Sequence, residues 1–222
     1  MEEGSENMQT VIFDMDGVLV DSEYTFFKSK SDMLAQAGYP VETSYHYQFM
    51  GTTFTFMWEE MKKEFDLPKS VDEYIQEMNQ RRKAIFQETG VKPIKGAVAL
   101  VKALHQAGFK LAVASASPRN EIKQYLTELG IIDCFSAYVS ADEVEHGKPA
   151  PDVFLEAAKR IARNPSECIV FEDTKNGSRA AKNAGMYTIG FANPEYPKQD
   201  LSAADKIVTD YQQVDIQRLL AL

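Results

Sequence analysis

The sequence predicts an α/β fold: a parallel sheet with helices on both faces, carrying an inserted helical-bundle cap domain. Three observations predict it. From Phe109 onward, short apolar runs alternate with amphipathic helical segments, the pattern of a parallel sheet covered on both sides. Over residues 23–92 the pattern is helical and contains no central strand. Ahead of that segment stands one apolar run, Val11-Ile12-Phe13, which stops abruptly at Asp14, with Asp16 and Gly17 just beyond. The sheet therefore begins before the insert and resumes after it, near Pro93. The predicted domains are a Rossmann-like core over residues 1–21 and 93–222 and a helical cap over residues 22–92.

In chain order, three helical segments follow the first strand. "SKSDMLAQAGYP" ends with Gly38 at the C-cap and Pro40 beyond it. "TFMWEEMKKEFDLP" and "VDEYIQEMNQRRKAIFQE" are the second and third. Residues 22–24 and 91–95 are then the crossings between domains and the expected hinges. Residues 96–107 place Val98, Val101 and Leu104 on one helical face. "FKLAVASAS" reads as a strand, and Ser117-Pro118 as an N-cap followed by proline in the first helical turn. Ile122, Tyr125, Leu126 and Leu129 recur at helical spacing until Gly130. "FSAYVS", "CIVFED" and "MYTIGF" are further strands, separated by helices over 151–162 and 176–184, the latter closed by Gly185.

The chain has 222 residues, 44% of them hydrophobic, which is enough for a large core. Its formal net charge is −9. Such a surface repels nucleic-acid phosphates and anionic membranes, so neither is an expected partner, although a local cation can still attract a small anion. Two cysteines, Cys134 and Cys168, lie far apart without metal-ligand spacing, which excludes a disulfide framework or a zinc site and leaves burial as small hydrophobes. No apolar run is long enough to span a membrane, and the acidic start "MEEGSENMQT" is unlike a signal peptide. A cytoplasmic monomer is the expectation.

In parallel α/β sheets, ligands bind beyond the C-terminal ends of the strands. Asp14 and Asp16 stand at such an end, as do Ser115 closing "LAVAS" and Glu172 and Asp173 closing "CIVFED"; Lys148 lies in "HGKPAPD", just ahead of a helix. Each alone has a structural reading: a D-x-D turn with solvated acids, a serine helix cap, an acidic cap for the next helix, a surface lysine. Their joint placement points to chemistry. Four converging carboxylates repel, since two unit charges 4 Å apart cost about 4 kcal/mol at an effective dielectric near 20. A hard divalent cation relieves this, and oxygen ligands suit Mg²⁺. With Lys148 the result is a pocket suited to phosphate. Asp14 is then a carboxylate nucleophile, and Asp16 the group that protonates the leaving oxygen and later activates water. Gly17 permits the tight turn. Ser115 supplies a hydroxyl, with Ala116 and its neighbours supplying backbone N–H groups at a helix start.

The stretches "DMDGVLVDS", "VASAS", "GKPAPDVF" and "VFEDTKNG" resemble the four motifs of the haloacid dehalogenase-like superfamily, in the family's order and across the whole core. The sequence is most similar to the β-phosphoglucomutase-like branch, which carries a small helical cap. The resemblance implies Asp14 as nucleophile, Asp16 as acid and base, and Ser115 and Lys148 as phosphoryl ligands. It implies Mg²⁺ on the Asp14 carboxylate, the Asp16 backbone carbonyl and Asp173, with Glu172 nearby or bridging through water. Asp16 argues against dehalogenase chemistry, because family dehalogenases lack the second aspartate and the metal. Phe26 and Phe54 fall where the mutases carry a cap histidine and a cap arginine, and Arg81 loosely matches a cap lysine. The expected function is thus a Mg²⁺-dependent phosphatase acting on a small phosphorylated metabolite, with a hexose-phosphate mutase as the alternative.

Within the cap, Phe49, Met50, Phe54, Phe56, Met57 and Trp58 crowd around Gly51, most of them as expected cap core and one or two over the site. Gly51, Thr52, Phe54 and Arg81 are the cap's candidate substrate contacts, with Thr53 offering a further hydroxyl. His46 and His105 read as surface or cap residues. Arg119 either holds an anionic substrate or is a solvated helix residue. A non-enzymatic phospho-switch combines similar groups, but its acidic pair ends the first strand and its acceptor follows later, the reverse of the order here. A dinucleotide-binding module is disfavoured because no G-x-G-x-x-G follows the first strand.

Overall fold

The structure, a computed structural model, describes residues 10–50 and 52–221. In chain order its elements are β1 (Thr10–Phe13), α1 (Glu23–Gln36), α2 (Phe54–Phe65), α3 (Val71–Thr89), α4 (Ala97–Gln106), β2 (Lys110–Ser115), α5 (Arg119–Glu128), β3 (Ala137–Ser140), α6 (Asp152–Arg160), β4 (Cys168–Glu172), α7 (Lys175–Asn183), β5 (Tyr187–Phe191), β6 (Lys206–Val208) and α8 (Ile216–Leu219). Two compact units result: Met1–Asp21 with Lys92–Leu222, and Ser22–Val91.

The first unit is a six-stranded sheet of order β3-β2-β1-β4-β5-β6 in which every pair is parallel. The strands β1 and β4 are buried at every residue and β2 at all but its first, which is why they read as unbroken apolar runs. Right-handed crossovers put α4 and α5 on one face as the chain moves from β1 to β3, and α6 and α7 on the other as it returns through β4 to β5. Val153, Phe154 and Ala157 of α6 and Ala180 and Ala181 of α7 pack on Ile12, Ala112, Ala114 and Val170. The alternating pleat turns Phe13 and Phe171 to the opposite face, where their rings stack at 5.1 Å. Tyr211 extends this row, edge-on to Phe171 at 6.0 Å and stacked on Phe191 at 4.3 Å.

After β1 the chain turns tightly. Gly17 adopts φ +78°, and the N–H groups of Leu19 and Val20 both donate to the Met15 carbonyl. The Asp21 N–H donates to Lys92 O at 2.8 Å and the Ile94 N–H to Leu19 O at 3.0 Å. Most of the expected crossing at 91–95 is therefore paired backbone of the sheet unit. Two further expectations change here. The helix α5 starts at Arg119 with Pro118 as its N-cap, so Ser117 is not the cap. The strand β6 escapes a pattern reading because it has three residues and leaves Ile207 53% exposed.

The second unit builds its core from Met33, Leu34, Met57, Trp58, Met61 and Met78, with Trp58 stacked on Tyr74 at 4.8 Å. Thr53 caps α2 by accepting from the Phe56 N–H, and a Ser70–Glu73 capping box starts α3. Of its two readings, surface or cap, His46 takes the second: it is fully buried in this unit, with Nε2 2.9 Å from Ser31 Oγ. Burial, followed by the Lys30 charge, pushes its pKa down to about 4. Of the six residues around Gly51, Phe49, Met57 and Trp58 are buried, Met50 is half-buried, and Phe54 and Phe56 are exposed. Among the described residues no helix is long and apolar enough to cross a membrane.

The Tyr211 hydroxyl donates to the Val18 carbonyl at 2.7 Å in a buried setting, tying the C-terminal segment to the turn after β1. Tyr211→Phe keeps the ring row but orphans that carbonyl, at a cost of about 1–2 kcal/mol. A fall in melting temperature of about 2–4 °C per kcal/mol is expected by calorimetry; an unchanged midpoint contradicts it.

Candidate active site

The register of the sheet brings the site together. Phe13 pairs with Val113 on one side and Phe171 on the other, so Asp14, the next residue, stands level with the end of β4. Its N–H donates to the Phe171 carbonyl at 2.9 Å. Ser115 closes β2 and Glu172 closes β4. The chain direction across the sheet reverses at β1, the position where parallel α/β folds open a crevice.

Lys148 reaches this edge from the loop before α6. Its ammonium donates to Asp14 Oδ1 at 2.5 Å and Glu172 Oε1 at 2.8 Å, with Ala114 O at 3.4 Å. Asp14 is 5% exposed and Glu172 1%. Burial pushes the Asp14 carboxyl up to about 7; Lys148 opposes that rise, and the Glu172 and Asp16 charges add to it. For Lys148, burial favours the neutral amine, but Asp14 and Glu172 outweigh it and hold the ammonium well above its ordinary range. The second Glu172 oxygen accepts from the Thr174 N–H at 2.6 Å and hydroxyl at 2.9 Å, and Thr174 itself caps α7 through the Gly177 N–H. The cap of α7 is thus Thr174, not the acidic pair.

Asp14, Glu172 and Asp173 each offer an oxygen within 4.8 Å of the others. This all-oxygen donor set suits a hard divalent cation such as Mg²⁺. Two glycines shape it. A Cβ on Gly17 would lie 2.1 Å from Asp173 Oδ2, and one on Gly177 1.6 Å from Glu172 Oε1, so a side chain at either position would displace the carboxylate from its place in the cluster. Of the four carboxylates expected to converge, Asp14, Glu172 and Asp173 form one oxygen cluster. Asp16 lies near enough to raise the Asp14 pKa, yet its carboxylate is engaged elsewhere: Oδ2 accepts from the Ser117 hydroxyl at 2.6 Å. Ser115 is fully buried and its Oγ accepts from the Ser117 N–H at 3.0 Å, while Ala116 is exposed.

The remaining candidates are accounted for within their own units. In the helical unit, Arg81 donates to Glu77 (2.6 and 2.9 Å) and to Gln36 (2.5 Å). Thr52 donates to the Phe49 carbonyl at 2.7 Å, and Phe54 packs on Phe26 with ring centroids 5.3 Å apart. Gly51 lies outside the described residues. In the sheet unit, Arg119 pairs with Glu143 at 3.0 Å and donates to Tyr138 O while its side chain stays 48% exposed, so it is a partly solvated helix residue whose charge is already paired. Burial alone would raise the Glu143 carboxyl, but the Ser140 N–H and the Arg160 and Arg119 guanidiniums hold it at about 2. Sequence reasoning misses Ser117 and Thr174 as parts of the site. Thr174 carries a legible signal, an N-cap residue just ahead of a helical pattern; Ser117 has only the local form of such a cap.

The sequence profile described as haloacid dehalogenase-like hydrolase matches residues 11–191. The chain is 32% identical over 211 residues to a bifunctional riboflavin kinase/FMN phosphatase of Arabidopsis thaliana, covering 94% of this chain and 55% of that protein, so it spans just over half of that relative's length. It is 30% identical over 182 residues to a phosphorylated carbohydrates phosphatase of Thermotoga maritima, covering 82% and 84% of the two chains. A crystal structure of a hydrolase of the same family from Deinococcus radiodurans, with bound phosphate and sodium, superimposes with a TM-score of 0.78 at 28% identity and covers 93% of each chain.

The raised Asp14 pKa gives a stability prediction. A carboxyl whose folded pKa lies above its unfolded value of 3.8 contributes stability that is full below about 4 and lost as pH rises through about 7. Melted in a chelator, the protein is expected to lose stability between pH 5 and pH 8. Mg²⁺ should restore more at pH 8 than at pH 5, and Asp14→Asn should flatten the slope, with each kcal/mol read as about 2–4 °C. An equal slope in wild type and Asp14→Asn contradicts the assignment.

Proposed function

The chain belongs to the haloacid dehalogenase-like hydrolase family, and from that premise we propose that it is a Mg²⁺-dependent phosphatase of a small phosphorylated metabolite, a sugar phosphate or similar ester. The observation that carries this reading is the meeting of Asp14, Lys148, Glu172 and Asp173 at the ends of β1 and β4. Asp14 attacks the phosphorus of the ester, forming an aspartyl phosphate as the ester P–O bond breaks. Asp16, two residues on, gives its proton to the departing alkoxide. Water then attacks the phosphorus, Asp16 takes its proton, and the Asp14 carboxylate leaves with phosphate released. Lys148 stabilises charge on the transferring group from one side of Asp14. Asp14 and Asp173, with Glu172 nearby, would hold Mg²⁺, which would supply further neutralisation of that group.

Hydrolysis is favoured over phosphate transfer between sugar positions by residues of the helical unit. Arg81, the candidate grip for a second phosphate, is engaged by Glu77 and Gln36. Phe26 and Phe54, which stand where the mutases carry ionic groups, pack on each other.

The test is a turnover assay with Mg²⁺ and a panel of phosphate monoesters, including β-glucose 1-phosphate with a bisphosphate primer. Phosphate release that stops with a chelator is expected, together with a loss of roughly a thousandfold or more in Asp14→Asn. Glucose 6-phosphate formed faster than phosphate would make the enzyme a mutase, and substantial turnover by Asp14→Asn would remove the nucleophile assignment.

A further inference from the structure

We propose that Ser117 is a positioning residue for Asp16, holding its carboxylate so that one defined oxygen meets the leaving group. The inference rests on the phosphatase reading above for its kinetic consequence, but on geometry for its substance. All three polar groups of Ser117 are engaged. Its N–H donates to Ser115 Oγ at 3.0 Å, its carbonyl accepts from Ser140 Oγ at 2.8 Å, and its hydroxyl donates to Asp16 Oδ2 at 2.6 Å. Ser115 ends β2 and Ser140 ends β3, so the Ser117 backbone hangs between the tips of two paired strands. Ser140 is fully buried, and its hydroxyl also accepts the Asp142 N–H at 3.2 Å. Its own N–H donates to Glu143, which is gripped by Arg119 and Arg160. The hydroxyl that reaches Asp16 is therefore mounted on a braced peptide.

The consequence lies in the other oxygen. Asp16 Oδ1 is buried and makes no hydrogen bond to any described group. A hydroxyl that fixes Oδ2 leaves Oδ1 as the atom to hand a proton to an alkoxide, and prevents the carboxylate from rotating to share its two oxygens between both tasks. Donation to a charged acceptor is among the stronger hydrogen bonds. Pre-set orientation of this kind lowers a barrier only where the proton is in flight. Ser117 touches no reacting atom, so its effect should depend on how much help the leaving group needs. An alkoxide needs a proton to leave, whereas p-nitrophenolate leaves readily without one.

The experiment compares wild type, Ser117→Ala and Ser117→Thr on p-nitrophenyl phosphate and on an alkyl ester, glycerol 3-phosphate, at saturating Mg²⁺, with a crystal structure of Ser117→Ala alongside. The expected result is a fall in kcat of about 10–100-fold on the alkyl ester against less than about threefold on the aryl ester. Ser117→Thr, which keeps the hydroxyl, should recover most of the loss, and Asp16 should be turned away from its wild-type orientation in the Ser117→Ala crystal. Equal losses on both esters, or no loss, overturn the proposal, as does an unmoved Asp16. Should wild type release phosphate from no ester, the phosphatase reading fails instead, and the orientation of Asp16 in the crystal still decides the positioning role in either direction.

Discussion

Lys148 places one ammonium between two carboxylates that the sheet has already buried, and the chemistry of the whole edge follows from that placement. Strand register makes Asp14 and Glu172 neighbours at the ends of β1 and β4. Nothing in the packing of the apolar strands favours two negative charges there, and burial pushes the Asp14 carboxyl up to about 7. The ammonium, 2.5 and 2.8 Å from the two groups, is what the chain itself supplies against that repulsion. One ammonium against three carboxylates leaves negative charge over, which a hard divalent cation would offset.

The surrounding structure serves to keep this charge cluster in register. Gly17 and Gly177 remove side chains from the space beside Asp173 and Glu172. Thr174 holds the outer Glu172 oxygen and starts α7 at the same time. Tyr211 fastens the turn after β1 through Val18 while its ring completes the aromatic row beneath the sheet. On the other flank, Ser115, Ser117 and Ser140 link the ends of β2 and β3 to Asp16. The two aspartates of the D-x-D pair are thus served by different parts of the sheet, one by the β4 side and one by the β2–β3 side. That division suits two roles that must not be exchanged.

Much of the fold was legible in the sequence because strands buried on both faces leave continuous apolar runs, and because the runs that lead into the site end in a polar residue. Val11-Ile12-Phe13 followed by Asp14, and "CIVFED", are the clearest cases. The strand β6 was not legible: three residues with one buried side chain carry no periodic signal. Ser117 shows a different limit. A serine before a proline has the local form of a helix start, and the hydrogen bond to Asp16, more than a hundred positions away, has no local signature. The split of the four carboxylates, three in one oxygen cluster and Asp16 bonded to Ser117, is hidden for the same reason, since side-chain direction at a strand end is set by the partner it finds. Arg119 and Arg81 illustrate it on helices, where sequence gives the position of a cation but not the acid that engages it.

The most direct measurement is chemical trapping of the phosphorylated enzyme. Protein mixed with Mg²⁺ and its best ester, quenched during turnover and reduced with borohydride, is digested and sequenced by mass spectrometry. An acyl phosphate on Asp14 is converted to homoserine at that position alone, in an amount that rises with substrate and vanishes in the chelator control. Reduction at another carboxylate, or turnover with Asp14 unmodified throughout, would show that the buried pair with Lys148 does not hold the nucleophile.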